Sequence, residues 1–154
     1  MSVKVRNLTE YHGISKVIPE FSSSYKTLVL QGSIMPDPKE PIDTIYKFIC
    51  EPTTFKSKIK LTPLGTSING QCLSGTKINF SGSLKLFVHY FNNLSNSMGI
   101  LEDSHTIMGY IISPNILLEN SPFNIQCYIH DMNILKISST KLLYSIFITI
   151  NAES

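Results

Sequence analysis

The stretch GTKINFSGSLKLFVHY, residues 75–90, decides how this chain folds. From Lys77 onward it alternates. Ile78, Phe80, Gly82, Leu84, Leu86, Val88 and Tyr90 share one parity, and Lys77, Asn79, Ser81, Ser83, Lys85, Phe87 and His89 share the other. A period of two is the signature of a strand with one face in a core. Residues 77–90 would span about 45 Å as a strand, well above the usual length of five or six residues. Gly82 sits mid-way on the apolar parity, where glycine marks a bulge or bend. The stretch is therefore either one bent strand or two that share a corner between sheets. Its outer parity is only mildly polar and ends in His89.

The flanking segments read the same way. Val, Ile, Phe, Tyr and Thr dominate between evenly spread Gly and Pro, which is strand composition. Strands are expected over 25–34, 44–50, 54–62, 103–112, 123–139 and 141–151, the fifth with a bulge near Asp131. Residues 43–51 could equally form a helical turn. Three prolines make 35–43 a loop. Asn69-Gly70 is a strong hairpin dipeptide, and 113–122 reads as an irregular connector. The last strand is apolar on both parities, through Leu142, Tyr144, Ile146, Ile148 and Ile150 and through Leu143 and Phe147. Such a strand is buried on both faces or lies at an interface.

Residues 1–24 are polar, with sparse apolar anchors, and read as an extended arm holding one or two short strands. Either the arm completes its own domain's sheet, or it lies along a neighbour as an added strand. The expected fold is all-β: an antiparallel β-sandwich of long strands over 25–154, preceded by the arm.

A chain of 154 residues suits one domain with its own core. Charged residues make up 16%, against about 25% in an average domain. A surface short of charge is poorly defended against self-association. The net charge is +2, and no basic run exceeds two or three residues, so no nucleic-acid footprint is expected. The N-terminus lacks an apolar signal-peptide core, and no apolar run is long enough to span a membrane. Synthesis in the cytoplasm is the expectation. Cys50, Cys72 and Cys127 are odd in number and widely spaced. They read as buried free thiols, with intermolecular bonding open to them in oxidising surroundings.

No catalytic signature emerges. Cys127 and His130 stand three apart, which on a strand puts them on opposite faces. There is no CxxC or HExxH. A metal site built across subunits from His12, His89 or His105 is the remaining metal option, and neither a metal nor another cofactor is expected. Ser104 and His105 within LEDSH lack a nucleophile elbow and face opposite ways. The glycines of GTSINGQCLSGTK precede strands rather than a helix, so a hairpin is their use and not a phosphate cradle. Tyr128, Tyr90 and Phe87 would have to cluster on one concave face to bind a carbohydrate.

Several stretches resemble one family. PLGTSINGQCLSGTKINFSGSLKLFVHY is similar to its central turn-and-strand pattern, and FNIQCYIHDMNILKISSTKLLYSIFITINAE to its C-terminal pattern. The opening YHGI, IPEF and YKTLVLQGSIMPDP resemble the start of its short members. These are the SPOCS-domain proteins of spore-forming clostridia, whose longer members carry a LysM module. The resemblance implies a non-enzymatic structural role in the spore coat, with no peptidoglycan-binding module. Together with the low surface charge and long strands, it leads us to expect homotypic assembly into a fibre or lattice through strand edges and the arm. Val3, Val5, Leu8, Tyr11 and Ile14 are the expected subunit contacts. Partners would be copies of the chain and other coat proteins. The alternatives are an adaptor for another coat protein and a ligand-binding β module.

Overall fold

The computed structural model describes residues 2–21, 24–66, 72–112 and 124–153. Within them the chain is all-β, with no helix. Nine strands run in order: β1 (Ser2–Arg6), β2 (Thr9–Ile14), β3 (Tyr25–Ile34), β4 (Thr44–Pro52), β5 (Lys56–Thr66), β6 (Cys72–Asn92), β7 (Ser97–Ile112), β8 (Asn124–Ser138) and β9 (Lys141–Glu153). The ambiguous 43–51 segment is strand, as its β-branched content favours. The Asn69-Gly70 turn and the 113–122 connector lie outside the described residues. The strands flanking that turn do pair antiparallel from Thr66 and Cys72 onward.

One sheet has six strands and the other three. In the larger, β6 is the spine. β7 pairs along one edge from Lys77 to Asn92. The other edge is shared end to end: β5 takes residues 72–81 and β4 takes 84–91. β2 joins β4 in parallel through Glu10–Lys47, Tyr11–Phe48 and His12–Ile49, and β1 closes the row antiparallel to β2. In the smaller sheet β9 lies between β3 and β8, all antiparallel. No local sequence signal marks the parallel pair. The larger sheet is therefore mixed.

Gly82 does not split the long strand. It pairs in register with Ile107, and β6 continues for 21 residues, about 70 Å at strand rise. The glycine is needed for space. A β-carbon there would run into the ring of Phe55, which lies over it where one edge partner gives way to the next. Thr53 fills that gap in the edge: its N–H donates to the Ser83 carbonyl at 2.8 Å, and its Oγ1 accepts from the Ser83 N–H at 3.0 Å.

The inward parity of β6 is buried as its alternation requires, from Ile78 through Leu84, Leu86 and Val88 to Tyr90. It packs with Ile129, Met132, Leu142, Ile146, Ile148 and Ile150 of the smaller sheet in one continuous apolar cluster. Each fully buried Leu or Ile adds roughly 1.5–3 kcal/mol, so this cluster is the main source of stability. The other parity of β9 is covered only in part: Leu143 and Phe147 are exposed, whereas Thr149 and Asn151 are buried.

The described part of the expected arm, residues 2–21 and 24, does not hang free of the domain. β2 is a strand of the larger sheet, and its Tyr11 and Ile14 lie in the chain's own core. Of the five residues expected at subunit contacts, these two are thus already covered from within. Val3, Val5 and Leu8 are exposed by 56%, 61% and 87%.

Candidate assembly surface

The outward parities of five strands line up into rows across the larger sheet. Val5, Glu10, Lys47, His89 and Ile100 are successive cross-strand partners, and so are Val3, His12, Ile49, Phe87 and Glu102. A third, shorter row holds Thr44, Phe91 and Met98. Val3, Val5, Met98 and Ile100 are exposed, whereas Ile49, Phe87 and Phe91 are half-buried. This makes a mixed belt: five of the ten side chains in the two long rows are apolar, set among Glu10, Lys47, Glu102 and the two histidines. Solitary exposed apolar residues are ordinary, but a contiguous patch marks an interaction surface.

His89 sits within this belt. Burial lowers its pKa below the ordinary histidine value, and Lys47 and His12 add to the effect. Its ring meets Tyr46 edge-on, with centroids 5.7 Å apart. Among the described residues no carboxylate or nucleophile hydrogen-bonds to it. His89 lies here as a half-buried ring in the outer row, packed edge-on against Tyr46. His12 instead pairs with Glu10 at 3.0 Å, and that hydrogen bond holds the Glu10 carboxyl below its ordinary range.

The β1–β2 hairpin also fastens the two sheets together by covering the edge of β8. The Ser15 N–H donates to the Ile129 carbonyl at 2.8 Å, and the Ile129 N–H donates to Ser15 Oγ at 2.9 Å. Tyr11 Oη accepts from the Ile134 N–H at 3.2 Å and donates to Asn133 Oδ1 at 3.0 Å. The Arg6 guanidinium pairs with Asp131 at 2.5 Å and donates to the Met132 carbonyl at 3.3 Å. Burial works to raise the Asp131 pKa, but the bonds from Arg6 and the Met132 N–H outweigh it and hold the carboxyl below its usual value. The expected bulge near Asp131 is there, as a register shift between Ile129 and Asp131. An open strand edge invites pairing with another chain, and here the arm occupies it.

The hairpin tip carries an unusual backbone. Asn7 and Leu8 have φ of +48° and +67°, the two-residue turn that favours Asn-Gly. Leu8 holds the position where glycine would be relaxed, and its side chain stands in the open.

The other expected chemistry is dispersed. His105 bonds Tyr144 Oη at 2.6 Å across the gap between the sheets, while Ser104 lies on the opposite parity. His12 and His89 share the outer face, so the three histidines of the metal option are not brought together. His130 bonds Thr149 Oγ1 at 2.6 Å and stacks on Phe147 at 4.6 Å. Tyr90 is buried with its hydroxyl on Glu40 at 3.3 Å, Phe87 lies on the outer face, and Tyr128 packs on Phe21. No shared concave face gathers these three aromatics.

Cys50 is fully buried and Cys127 is half-buried against the same core, and both are free thiols. Burial raises the Cys50 thiol far above its ordinary pKa and pushes Cys127 up to about 12. Thiols so placed are inert, and Cys50 cannot reach a neighbour while the chain is folded. Cys72 opens β6, and its side chain lies outside the described residues. Sequence reading also missed a lysine array on β5, since KSKIK looks like a short charge run until the strand turns all three lysines outward.

No family model, curated protein or solved structure matches this chain. Among the described residues no helix is long and apolar enough to cross a membrane.

Proposed function

We propose that this chain is a non-enzymatic structural subunit of the bacterial spore coat, a β-sandwich of the SPOCS kind that assembles with copies of itself. The observation that carries the reading is Leu8, an almost fully exposed leucine at a positive φ. A left-handed non-glycine residue costs about 1–2 kcal/mol. Burying a leucine in a neighbour returns roughly 1.5–3 kcal/mol, so assembly offsets a cost that the lone subunit bears. Strain at an exposed site points to a role there.

The belt from Val3 and Val5 to Ile100 gives the same contact breadth, and the exposed Leu143 and Phe147 offer a second apolar face on the smaller sheet. Two different faces used head to tail give an open filament or lattice instead of a closed dimer. The spore-coat placement, with synthesis in the mother-cell cytoplasm, rests on the turn-and-strand resemblance described above.

The test is light scattering after size exclusion, with negative-stain microscopy, across a concentration series with and without reductant. Growing particles of regular repeat support the reading. A monomer at every concentration overturns it.

A further inference from the structure

β5 alternates so that Lys56, Lys58 and Lys60 point outward while Ile59 is buried. Their partners on β6 are Ser81, Asn79 and Lys77, and the next partners on β7 are Met108, Tyr110 and Ile112. Lys56, Lys58, Lys77, Asn79 and Tyr110 line one open groove whose walls contain no acidic residue. Lys26 of β3 joins it from the smaller sheet. The ammonium groups of Lys26 and Lys77 each lie 4.8 Å from the centre of the Tyr110 ring.

Five of the chain's 13 basic residues thus gather at one place, leaving eight against 11 acids over the rest of the chain. Among the described residues, none of the five is in an ion pair. Lys60 and Lys77 stand directly opposite each other, an arrangement that destabilises a sheet. Lysines on an edge strand can serve to repel other chains. That would account for the β5 lysines and for Lys26 on the edge strand β3, but not for Lys77 on the central strand.

We infer that this groove is a docking surface for an extended acidic polypeptide segment with carboxylates at alternate positions. Lys56, Lys58 and Lys60 repeat every two strand residues, about 6.6–6.8 Å. An extended peptide carries its alternate side chains at the same period and meets them one to one. Asn79 and Ser81 supply hydrogen-bonding groups for the segment's backbone. The groove has no arginine to fork onto phosphates. Its aromatic ring is already engaged by two ammonium groups, so it does not offer a stacking platform for bases.

Fluorescence anisotropy with a labelled peptide of alternating Glu and Ser tests this. The comparators are a peptide of the same composition with its glutamates in one block, polygalacturonate and a single-stranded oligonucleotide. The alternating peptide should bind tightest, and binding should weaken as salt rises from about 50 to about 200 mM. K58E/K60E should weaken it by roughly tenfold or more with the melting temperature kept, while K16E should leave it unchanged. Equal binding by K58E/K60E, tighter binding of the oligonucleotide or polygalacturonate, or no peptide binding would overturn the proposal. Particle size measured on the same samples separates this groove from homotypic assembly, since peptide binding by a monomer supports the one and not the other.

Discussion

The Tyr11 hydroxyl accepts from the Ile134 N–H at 3.2 Å and lies 3.3 Å from the Ile134 carbonyl oxygen, serving the edge of β8 as a neighbouring strand would. Tyr11→Phe keeps the ring in the core and removes only this bonding. It leaves buried backbone groups unsatisfied, which costs about 1–3 kcal/mol. Urea unfolding should show a lower midpoint with an unchanged slope. No loss of stability would mean that water takes over the role.

Gly13 makes the parallel pairing of β2 with β4 possible. Its φ is +124°, and a β-carbon there would collide with the Cys50 carbonyl oxygen. Gly13→Ala should cost more than about 2 kcal/mol, because the strained backbone alone accounts for about 1–3 kcal/mol and the clash adds to it. Thermal melting checks this, and a variant as stable as the parent would refute the close approach.

Leu8→Gly separates fold from assembly. Glycine relaxes the positive φ, so the subunit should keep or gain stability by up to about 1 kcal/mol. Light scattering should show weaker association at the same time. A variant that assembles as the parent does would remove Leu8 from the contact.

His89 sets a pH dependence. Its folded pKa lies below the ordinary 6.5, so between the two values the unfolded chain binds more protons and stability rises with pH. Its contribution is complete above the unfolded value and is lost as pH falls through the folded one. Acidification also puts a second positive charge beside Lys47 in the outer row. His89→Phe should flatten the stability profile below about pH 6.5, as read by denaturant titration at several pH values. A profile unchanged by the substitution would contradict the assignment.

Native thiol titration gives a further independent check on packing. Cys50 and Cys127 should resist a neutral-pH thiol reagent until the protein unfolds, since burial keeps both protonated. If particles are cross-linked under oxidising conditions, Cys72→Ser should abolish the link and Cys50→Ser should not.

Much of the fold was legible because the burial of β6 follows its alternation residue by residue. Leu84, Leu86, Val88 and Tyr90 were assigned to the core by parity and lie there. The rest depends on distant parts of the chain. Nothing local to Gly82 shows that Phe55 will cover it or that the strand runs on past it. Tyr11 and Ile14 looked like sparse anchors on a polar arm, because their partners are on β4 and β8. Lys56, Lys58, Lys60 and Lys77 become one array only when β5 folds back on β6. The candidate belt was less legible still, since five strands from four regions of the chain contribute one residue each to every long row.

The unbroken course of β6 also has a mechanical consequence. β7 on one side and β4 with β5 on the other are bonded along nearly its whole length. A pull along that axis loads those bonds in shear, many at once, whereas a pull across it would unzip them singly. A subunit strung into a thread with β6 along the thread would bear tension in its strongest direction.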